Sequence, residues 1–147
     1  MIEMREEAEI CSCAAVRQAA RHISRLYDEA LAATGLSLNQ YSILAKLSRF
    51  GPQTVQALAD RLVMDRSTLG HLLRPLERSG WIEIGVAVTD RRQRQIHITP
   101  LGTQLMQQAE PLWKRAEKAF RHDFGEENAL LLRTLMKQIT RVKPEGK

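Results

Sequence analysis

A change of hydrophobic period past the middle of the chain limits the possible folds more than any other feature of this sequence. From residue 8 to residue 79, apolar side chains recur at the three- and four-residue intervals of amphipathic helices. The interval then becomes two, as in strands with one buried face, and after residue 99 the helical interval returns. The alternating residues are Ile82, Ile84, Val86 and Val88 in one run and Ile96 and Ile98 in the next. The chain is therefore predicted to be mainly α-helical with one β-hairpin.

Capping residues set the ends of the predicted helices. Ser37 and Gln40 have the spacing of a capping box. Thr54 and Asp65 are suited to cap the next two helices, and Pro100 is suited to the first turn of a fifth. The predicted helices are a long one over residues 8–33, one from Ser37 to Phe50, a short one from Thr54 to Leu62, one over residues 65–79, one from Pro100 to about His122, and one over residues 126–142.

Length and composition limit the class of protein. At 147 residues with 44% hydrophobic side chains, the chain is long enough to form one domain around an apolar core. It contains no run of about 18 apolar residues that could span a bilayer. The N-terminal sequence MIEMREE is acidic, whereas a secretory or mitochondrial leader begins with basic residues, so we expect a cytoplasmic protein.

Arginine is concentrated in one part of the chain. Residues 61–99 carry seven basic side chains, all of them arginine, against four acidic ones, whereas residues 1–33 carry four basic and six acidic ones. The planar donors of arginine suit phosphates and guanine edges. This block indicates nucleic-acid binding, although on charge alone a solvated surface with ordinary salt bridges is the simpler interpretation.

The helix over residues 65–79 has an apolar stripe for the core and an opposite face suited to a DNA groove. That face carries Arg66, Ser67, Thr68, Gly70, His71 and Arg74. Arg66 and His71 can donate to base edges, the two hydroxyls can reach phosphates or bases, and the glycine allows close approach to DNA. Arg74 suits a phosphate. With the short helix before it and the hairpin after it, this helix predicts a winged helix-turn-helix with a two-stranded β wing.

The tip of the predicted hairpin is polar and rich in arginine. Its charged residues are Asp90, Arg91, Arg92 and Arg94. A narrow minor groove of A·T-rich DNA concentrates negative potential, and a single arginine side chain can enter it. We expect Arg92 to insert there, Asp90 to orient its guanidinium, and Arg91 and Arg94 to contact the flanking phosphates.

Five short stretches of the chain follow one another in the order of a known family. They are LADRL at 58–62, DRSTL at 65–69, LERSG at 76–80, DRR at 90–92 and ITPLG at 98–102. They resemble the MarR (multiple antibiotic resistance regulator) family of bacterial transcription regulators. The resemblance implies an obligate homodimer and repression at a pseudo-palindromic site in double-stranded DNA. It also implies that the terminal helices 8–33, 103–122 and 126–142 interleave between two winged domains. We expect dimerisation through residues 1–36 and 101–147 and DNA binding through residues 37–100.

One departure from the family pattern, Pro75, lies inside the helix over residues 65–79, which the resemblance implies to be the recognition helix. Proline removes the hydrogen bond to the His71 carbonyl, so we expect a kink in the last turn. The half from Arg66 to His71 should stay intact, whereas the directions of Arg74 and Arg78 depend on the kink.

The N-terminal helix carries the candidates for an effector or redox site. Regulators of this family usually respond to a small phenolic or anionic ligand or to oxidation. Cys13 is placed like the reactive cysteine of the peroxide-sensing OhrR branch, and Tyr27 like a tyrosine beside it. Arg17 replaces a second tyrosine and brings a positive charge that favours thiol reactivity. Cys11 and Cys13 are poorly placed to bridge each other on a helix, and simple packing in a dimer interface is the alternative role.

Other functional classes find little support in the sequence. No nucleophile elbow, HExxH, glycine-rich phosphate loop or CxxC is present, so we expect neither enzymatic activity nor a cofactor. The histidines at 22, 71, 97 and 122 are too scattered for a metal site. The main alternative is a winged-helix adaptor that binds protein instead of DNA. Such an adaptor would gain nothing from clustered arginines at the hairpin tip.

Overall fold

The computed structural model describes residues 11–87 and 90–146. Over these residues the elements are α1 (Ser12–Leu31) with a 3-10 turn (Ala32–Thr34), α2 (Leu38–Phe50), β1 (Gln53–Thr54), α3 (Val55–Leu62), α4 (Arg66–Arg78), β2 (Ile82–Val86), β3 (Arg94–Ile98), α5 (Pro100–Phe124) and α6 (Glu126–Ile139). This mainly helical arrangement with a β wing after α3 and α4 confirms the predicted winged helix-turn-helix class.

The helices begin at the predicted caps. In α2, the Ser37 hydroxyl oxygen accepts the N–H of Gln40 at 3.2 Å, and the Gln40 side-chain oxygen accepts the N–H of Ser37 at 3.0 Å, which completes the capping box. Thr54 caps α3 and Asp65 caps α4 by accepting the N–H groups of Ala57 and Thr68 at 3.0 and 2.7 Å, without a reciprocal side-chain bond to the N–H of the cap residue. Each cap supplies an acceptor for an N–H that has none within its helix.

The sheet has one strand more than the predicted hairpin. β2 and β3 pair antiparallel, with Ile84 opposite Ile96, so the alternating isoleucines share a face. β1 pairs with the other edge of β3, where Thr54 lies opposite Gln95, and the strand order is β1-β3-β2. The strand β1 has only two residues. Because two residues cannot show a period of two, β1 could not be predicted from the sequence.

The chain divides into two compact units, one that ends at Trp113 and one that begins at Lys114. In the first unit, leucine and isoleucine side chains from α1 to α4 and the sheet form the core. The largest fully buried ones are Leu31, Ile43, Leu44, Leu47, Leu58, Leu69, Leu76, Ile82 and Ile96. Because α4 contributes its leucines to this core, its polar face is directed outward.

The ITPLG stretch forms the junction between the wing and α5. The Thr99 hydroxyl donates to the carbonyl of Gly80 at 2.6 Å and accepts the N–H of Gly102 at 3.0 Å. The N–H of Thr99 donates to the carbonyl of Trp81 at 3.1 Å. A β-carbon at Gly102 would collide with that same Trp81 carbonyl. The start of α5 is therefore fastened to the segment that links α4 to β2.

The second unit consists of the end of α5 and of α6. Within it, Arg121 donates to the Glu117 carboxylate at 2.7 Å, and the rings of Phe120 and Phe124 stack with centroids 5.3 Å apart. Four apolar side chains of α6 are 44% to 61% exposed, namely Leu130, Leu131, Leu135 and Ile139. None of the helices in the described part of the chain has the length and apolar character needed to cross a membrane.

Candidate nucleic-acid interface

The predicted groove-facing residues lie together on the outer side of α4. Leu69, Leu73 and Leu76 are buried on the inner side of the helix. On the outer side Gly70 is half-buried, and the exposed residues are Arg66, Ser67, Thr68, His71 and Arg74. This side of α4 presents hydrogen-bond donors and a glycine over more than two helical turns, which is the chemistry that a DNA groove requires.

Asp65 holds the N-terminal end of α4. Its carboxylate accepts the N–H of Thr68 at 2.7 Å and the hydroxyl of Thr68 at 2.9 Å. These two hydrogen bonds, the N–H bond first, lower the pKa of Asp65 from its ordinary value. The Thr68 hydroxyl, which sequence analysis assigned to DNA, therefore donates to the helix cap in this structure.

α4 continues through Pro75 to Arg78. The N–H of Ser79 donates to the carbonyl of Pro75 at 3.0 Å and closes the last turn. Arg74 and Arg78 are both exposed. The proline therefore does not end the helix, and both arginines are carried on its outer surface.

Asp90 organises the wing tip through the main chain. Its carboxylate accepts the backbone N–H of Arg92 at 2.9 Å, and its carbonyl accepts the N–H of Gln93 at 3.1 Å. Within the described residues, no ion pair joins Asp90 to the Arg92 guanidinium, which is the contact expected from the sequence. Arg91, Arg92 and Arg94 are all exposed. Asp90 thus shapes the turn that carries Arg92 and leaves the guanidinium available to a ligand. The neighbouring positions 88 and 89 lie outside the described residues.

A cleft of about 400 Å³ opens between the wing and the helix-turn-helix. Arg66 at the start of α4 and Arg92 and Arg94 of the wing line it, together with residues 54–56 of the first turn of α3. The pairing of Thr54 with Gln95 brings that turn beside the wing. The lining includes no carboxylate, so three positive charges meet at one concave surface. This arrangement suits a phosphate.

A second basic cluster, which the sequence did not predict, lies around Phe50 at the end of α2. The guanidinium of Arg61 lies 3.8 Å from the centre of the Phe50 ring, and Lys46 and Arg49 lie within 5.9 Å of it. Gln53 holds this cluster in place, because its side chain donates to the carbonyls of residues 50–52 and accepts from Arg61 at 3.2 Å. No local pattern in the sequence signals these contacts, since they join two helices through β1.

The predicted effector and redox residues are spread along α1. Cys11, Cys13 and Arg17 are exposed, and the two cysteines are not bridged to each other. Tyr27 is buried, with 6% of its surface exposed. It lies about 21 Å along the helix axis from Cys13. One copy of the chain therefore does not bring Tyr27 beside the thiol of Cys13. Over the described residues, no three His, Cys, Asp or Glu side chains are grouped to hold a metal.

Comparison with known proteins identifies the family that the DNA-binding part of the chain resembles. The family model described as the MarR family matches residues 36–93, which cover α2, the helix-turn-helix and the wing as far as its tip. This part of the chain is similar to the MarR family. The chain is also similar to the HTH-type transcriptional regulator TtmR of Methylorubrum extorquens, with 36% identity over 90 residues. That match covers 61% of this chain and 46% of TtmR, so the chain matches less than half of that relative's length.

Two further relatives extend the similarity along most of the chain. A putative transcriptional regulatory protein for the hcr operon of Thauera aromatica is 28% identical over 132 residues, which are 90% of this chain and 75% of that protein. The crystal structure of the M. tuberculosis transcriptional regulator MosR in complex with DNA is also 28% identical, with a TM-score of 0.75, and the match covers 90% of this chain and 100% of the MosR chain. The predicted resemblance to the MarR family is thereby confirmed, and four of the five sequence stretches lie within the matched residues.

Proposed function

We propose that this chain is a transcriptional regulator of the MarR type that binds double-stranded DNA as a homodimer and represses by occupying a promoter. One observation carries the proposal. Arg66 of α4 and Arg92 and Arg94 of the wing line the same cleft, so the helix and the wing present their charge on one side of the first unit. A duplex that takes α4 in its major groove can then meet the wing in the adjacent minor groove. The DNA complex of the related MosR supports this partner.

The exposed residues divide between base recognition and phosphate contact. Arg66 and His71 reach base edges from the first half of α4, and Gly70 permits the close approach that this needs. Arg92 enters the minor groove from the turn that Asp90 shapes. The phosphate contacts fall to Ser67, Arg74, Arg91 and Arg94, which position the protein without reading sequence. The Thr68 hydroxyl instead donates to Asp65 at the start of α4.

The apolar side of α6 supports the homodimer. Monomeric proteins rarely leave large contiguous apolar surface in water, and the four half-exposed leucine and isoleucine side chains of α6 are suited to pack against a second copy. A two-fold dimer presents α4 twice, and the site on DNA is then pseudo-palindromic.

Release from DNA follows from a small phenolic or anionic ligand or from oxidation of Cys13. Either event shifts the population between two dimer shapes, one of which no longer matches the repeat of the groove. The exposure of Cys11 and Cys13 supports oxidation, whereas burial of both in a dimer interface would favour a packing role. To decide between oxidation and packing, an organic hydroperoxide is added to the DNA complexes of the wild type, Cys11→Ser and Cys13→Ser, and the release of DNA is measured. Unchanged wild-type binding removes the redox role.

The competing function is a winged-helix adaptor that binds a protein. A cleft with three arginines and no carboxylate in its lining favours DNA. The test is a salt titration of binding to duplex DNA, followed by fluorescence anisotropy. The logarithm of the binding constant should fall with the logarithm of salt by about 0.9 per neutralised phosphate, and Arg92→Ala should reduce that slope by about one unit. His71→Ala should instead weaken discrimination between base sequences by about 1–3 kcal/mol and leave the slope nearly unchanged. No binding to duplex DNA at low salt would establish the adaptor.

A further inference from the structure

The cleft between the wing and the helix-turn-helix has a second source of positive potential besides its arginines. Thr54 accepts the N–H of Ala57 at 3.0 Å and so satisfies one donor of the first turn of α3. The N–H groups of Val55 and Gln56 have no acceptor within the helix, because the first turn of a helix lacks preceding carbonyls. Both residues line the cleft. The partial positive charge of the helix end therefore adds to the charge of the arginines.

The carboxylates nearest in the sequence are already engaged elsewhere. Asp65, next to Arg66, accepts two hydrogen bonds from Thr68, and Asp90 accepts the backbone N–H of Arg92. Asp60, one turn along α3, accepts the side-chain amide of Gln56 at 2.8 Å. The ion pairs found among residues 11–87 and 90–146 include none of the three cleft arginines. Three arginines that line one cleft and make none of these ion pairs are well placed to bind an anion.

We propose that this cleft is a phosphate-binding site in which the first turn of α3 and the wing hold one backbone phosphate of DNA beside the start of α4. The proposal rests on the DNA-binding function above. It assigns new roles to Val55 and Gln56, and it places the phosphate contact of Arg94 in the same site. Val55 and Gln56 donate through their backbone N–H groups, and Arg94 donates from the opposite wall. The phosphate lies between α3 and the wing, beside the start of α4. A contact with it therefore fixes the position of α4 in the major groove relative to the wing in the minor groove.

The test neutralises one phosphate at a time in a duplex that the wild-type protein has selected from a random library. Methylphosphonate removes the charge and leaves the bases unchanged. At one position in each half-site we expect the wild type to lose about tenfold in affinity, the size expected for a lost hydrogen bond to a charged group. The Arg94→Ala variant should lose less affinity than the wild type at that position, because one of the charged partners of the phosphate is already absent.

Arg78→Ala is the matched control. Arg78 is an exposed arginine of α4 that does not line the cleft, so this variant should retain the full tenfold loss at the same position. Equal additional losses in Arg94→Ala and Arg78→Ala at every position overturn the proposal.

Inorganic phosphate alone distinguishes a DNA site from a site for free phosphate. The amide signals of Val55 and Gln56 in NMR spectra of the full chain report on the cleft directly. Shifts with DNA together with the position-specific methylphosphonate loss support the backbone phosphate. Shifts with inorganic phosphate and no sensitive position in the DNA overturn the DNA assignment and make free phosphate the ligand. Failure to select any duplex, with shifts in inorganic phosphate, rejects the proposed function and retains the site. No shift with either ligand rejects the site.

Discussion

At the scale of single residues, Val63 is the one non-glycine position with a positive φ among residues 11–87 and 90–146. It lies in the left-handed region at φ 53° and ψ 48°, which is unusual for a β-branched residue. Its N–H donates to carbonyls of the last turn of α3, and the N–H of Met64 donates to the carbonyl of Ala59 at 2.9 Å. These bonds end α3 and direct the chain into α4. Glycine is the common residue at such helix ends because it has no β-carbon to clash.

Val63→Gly is therefore expected to stabilise the protein. Relief of the left-handed strain, about 1–2 kcal/mol, exceeds the entropic cost of glycine, about 0.5–1 kcal/mol. The side chain is 73% exposed, so little packing is lost. Urea unfolding should give a higher midpoint with an unchanged slope. Gly51→Ala is the control, and it should lower the urea midpoint. Gly51 has φ 76° with open space around the missing β-carbon, so only the backbone strain of the new residue is tested. A lower midpoint for Val63→Gly would contradict the strain argument.

Asp65 makes the stability of the protein depend on pH in the acidic range. Because its pKa is lowered in the folded protein by the bonds from Thr68, its contribution is present above the unfolded value of about 3.9 and is lost as the pH falls through the folded value. Asp65→Asn keeps an acceptor for the cap and cannot titrate. The wild type should therefore be the more stable of the two at pH values above the unfolded pKa, and this advantage should shrink as the pH falls through the lowered pKa of the folded protein. Urea unfolding at successive pH values measures it, and a difference that stays constant would show that the charge of Asp65 has no part.

At the scale of elements, the contact between α5 and the Trp81 carbonyl depends on Gly102. A β-carbon there collides with the carbonyl and lies 3.0 Å from the Ile98 side chain. Since backbone cannot give way as a flexible side chain does, Gly102→Ala should lower the free energy of unfolding by about 1–3 kcal/mol.

Gly70→Ala is the control within the same unit. Gly70 lies in α4 with open space around it, so alanine there should raise stability by up to about 1 kcal/mol. Chemical unfolding of both variants checks the pair. Gly102→Ala with wild-type stability would mean that α5 can shift away from the Trp81 carbonyl.

How far each element could be predicted from the sequence depends on whether its cause is local. The caps at Ser37, Thr54 and Asp65 lie within three residues of the N–H groups they accept, so the helix starts were found from the sequence. β1 and the cleft depend on the pairing of Thr54 with Gln95, which are far apart in the chain and follow no period. The backbone role of Asp90 was missed for a different reason, since residue type suggests an ion pair with Arg92 as readily as a turn.

At the scale of the whole molecule, burial of the apolar side of α6 is expected to stabilise the proposed dimer. Leu131 and Leu135 are 55% and 44% exposed, and a second copy that covers them would gain about 25 cal/mol for each Å² of apolar surface removed from water. Replacing both by glutamate should yield monomers in analytical ultracentrifugation. The helical content should be retained, because these side chains contribute little to the core of one chain. A double variant that remains dimeric would place the interface elsewhere.

The dimer also makes binding depend on the distance between the two half-sites. A two-fold dimer that presents α4 twice requires half-sites about one helical turn apart, roughly 10 base pairs, on one face of the duplex. Insertion of about 5 base pairs between them turns one half-site to the opposite face. Wild-type affinity for the selected duplex should then fall to that for a single half-site. The Leu131→Glu and Leu135→Glu double variant should bind both duplexes equally weakly, because each monomer meets its half-site independently. Gel-shift titration of the two proteins on the two duplexes makes the comparison. Equal wild-type affinity for both duplexes would mean that the recognition helices are not rigidly linked, and repression would then require independent binding at each half-site.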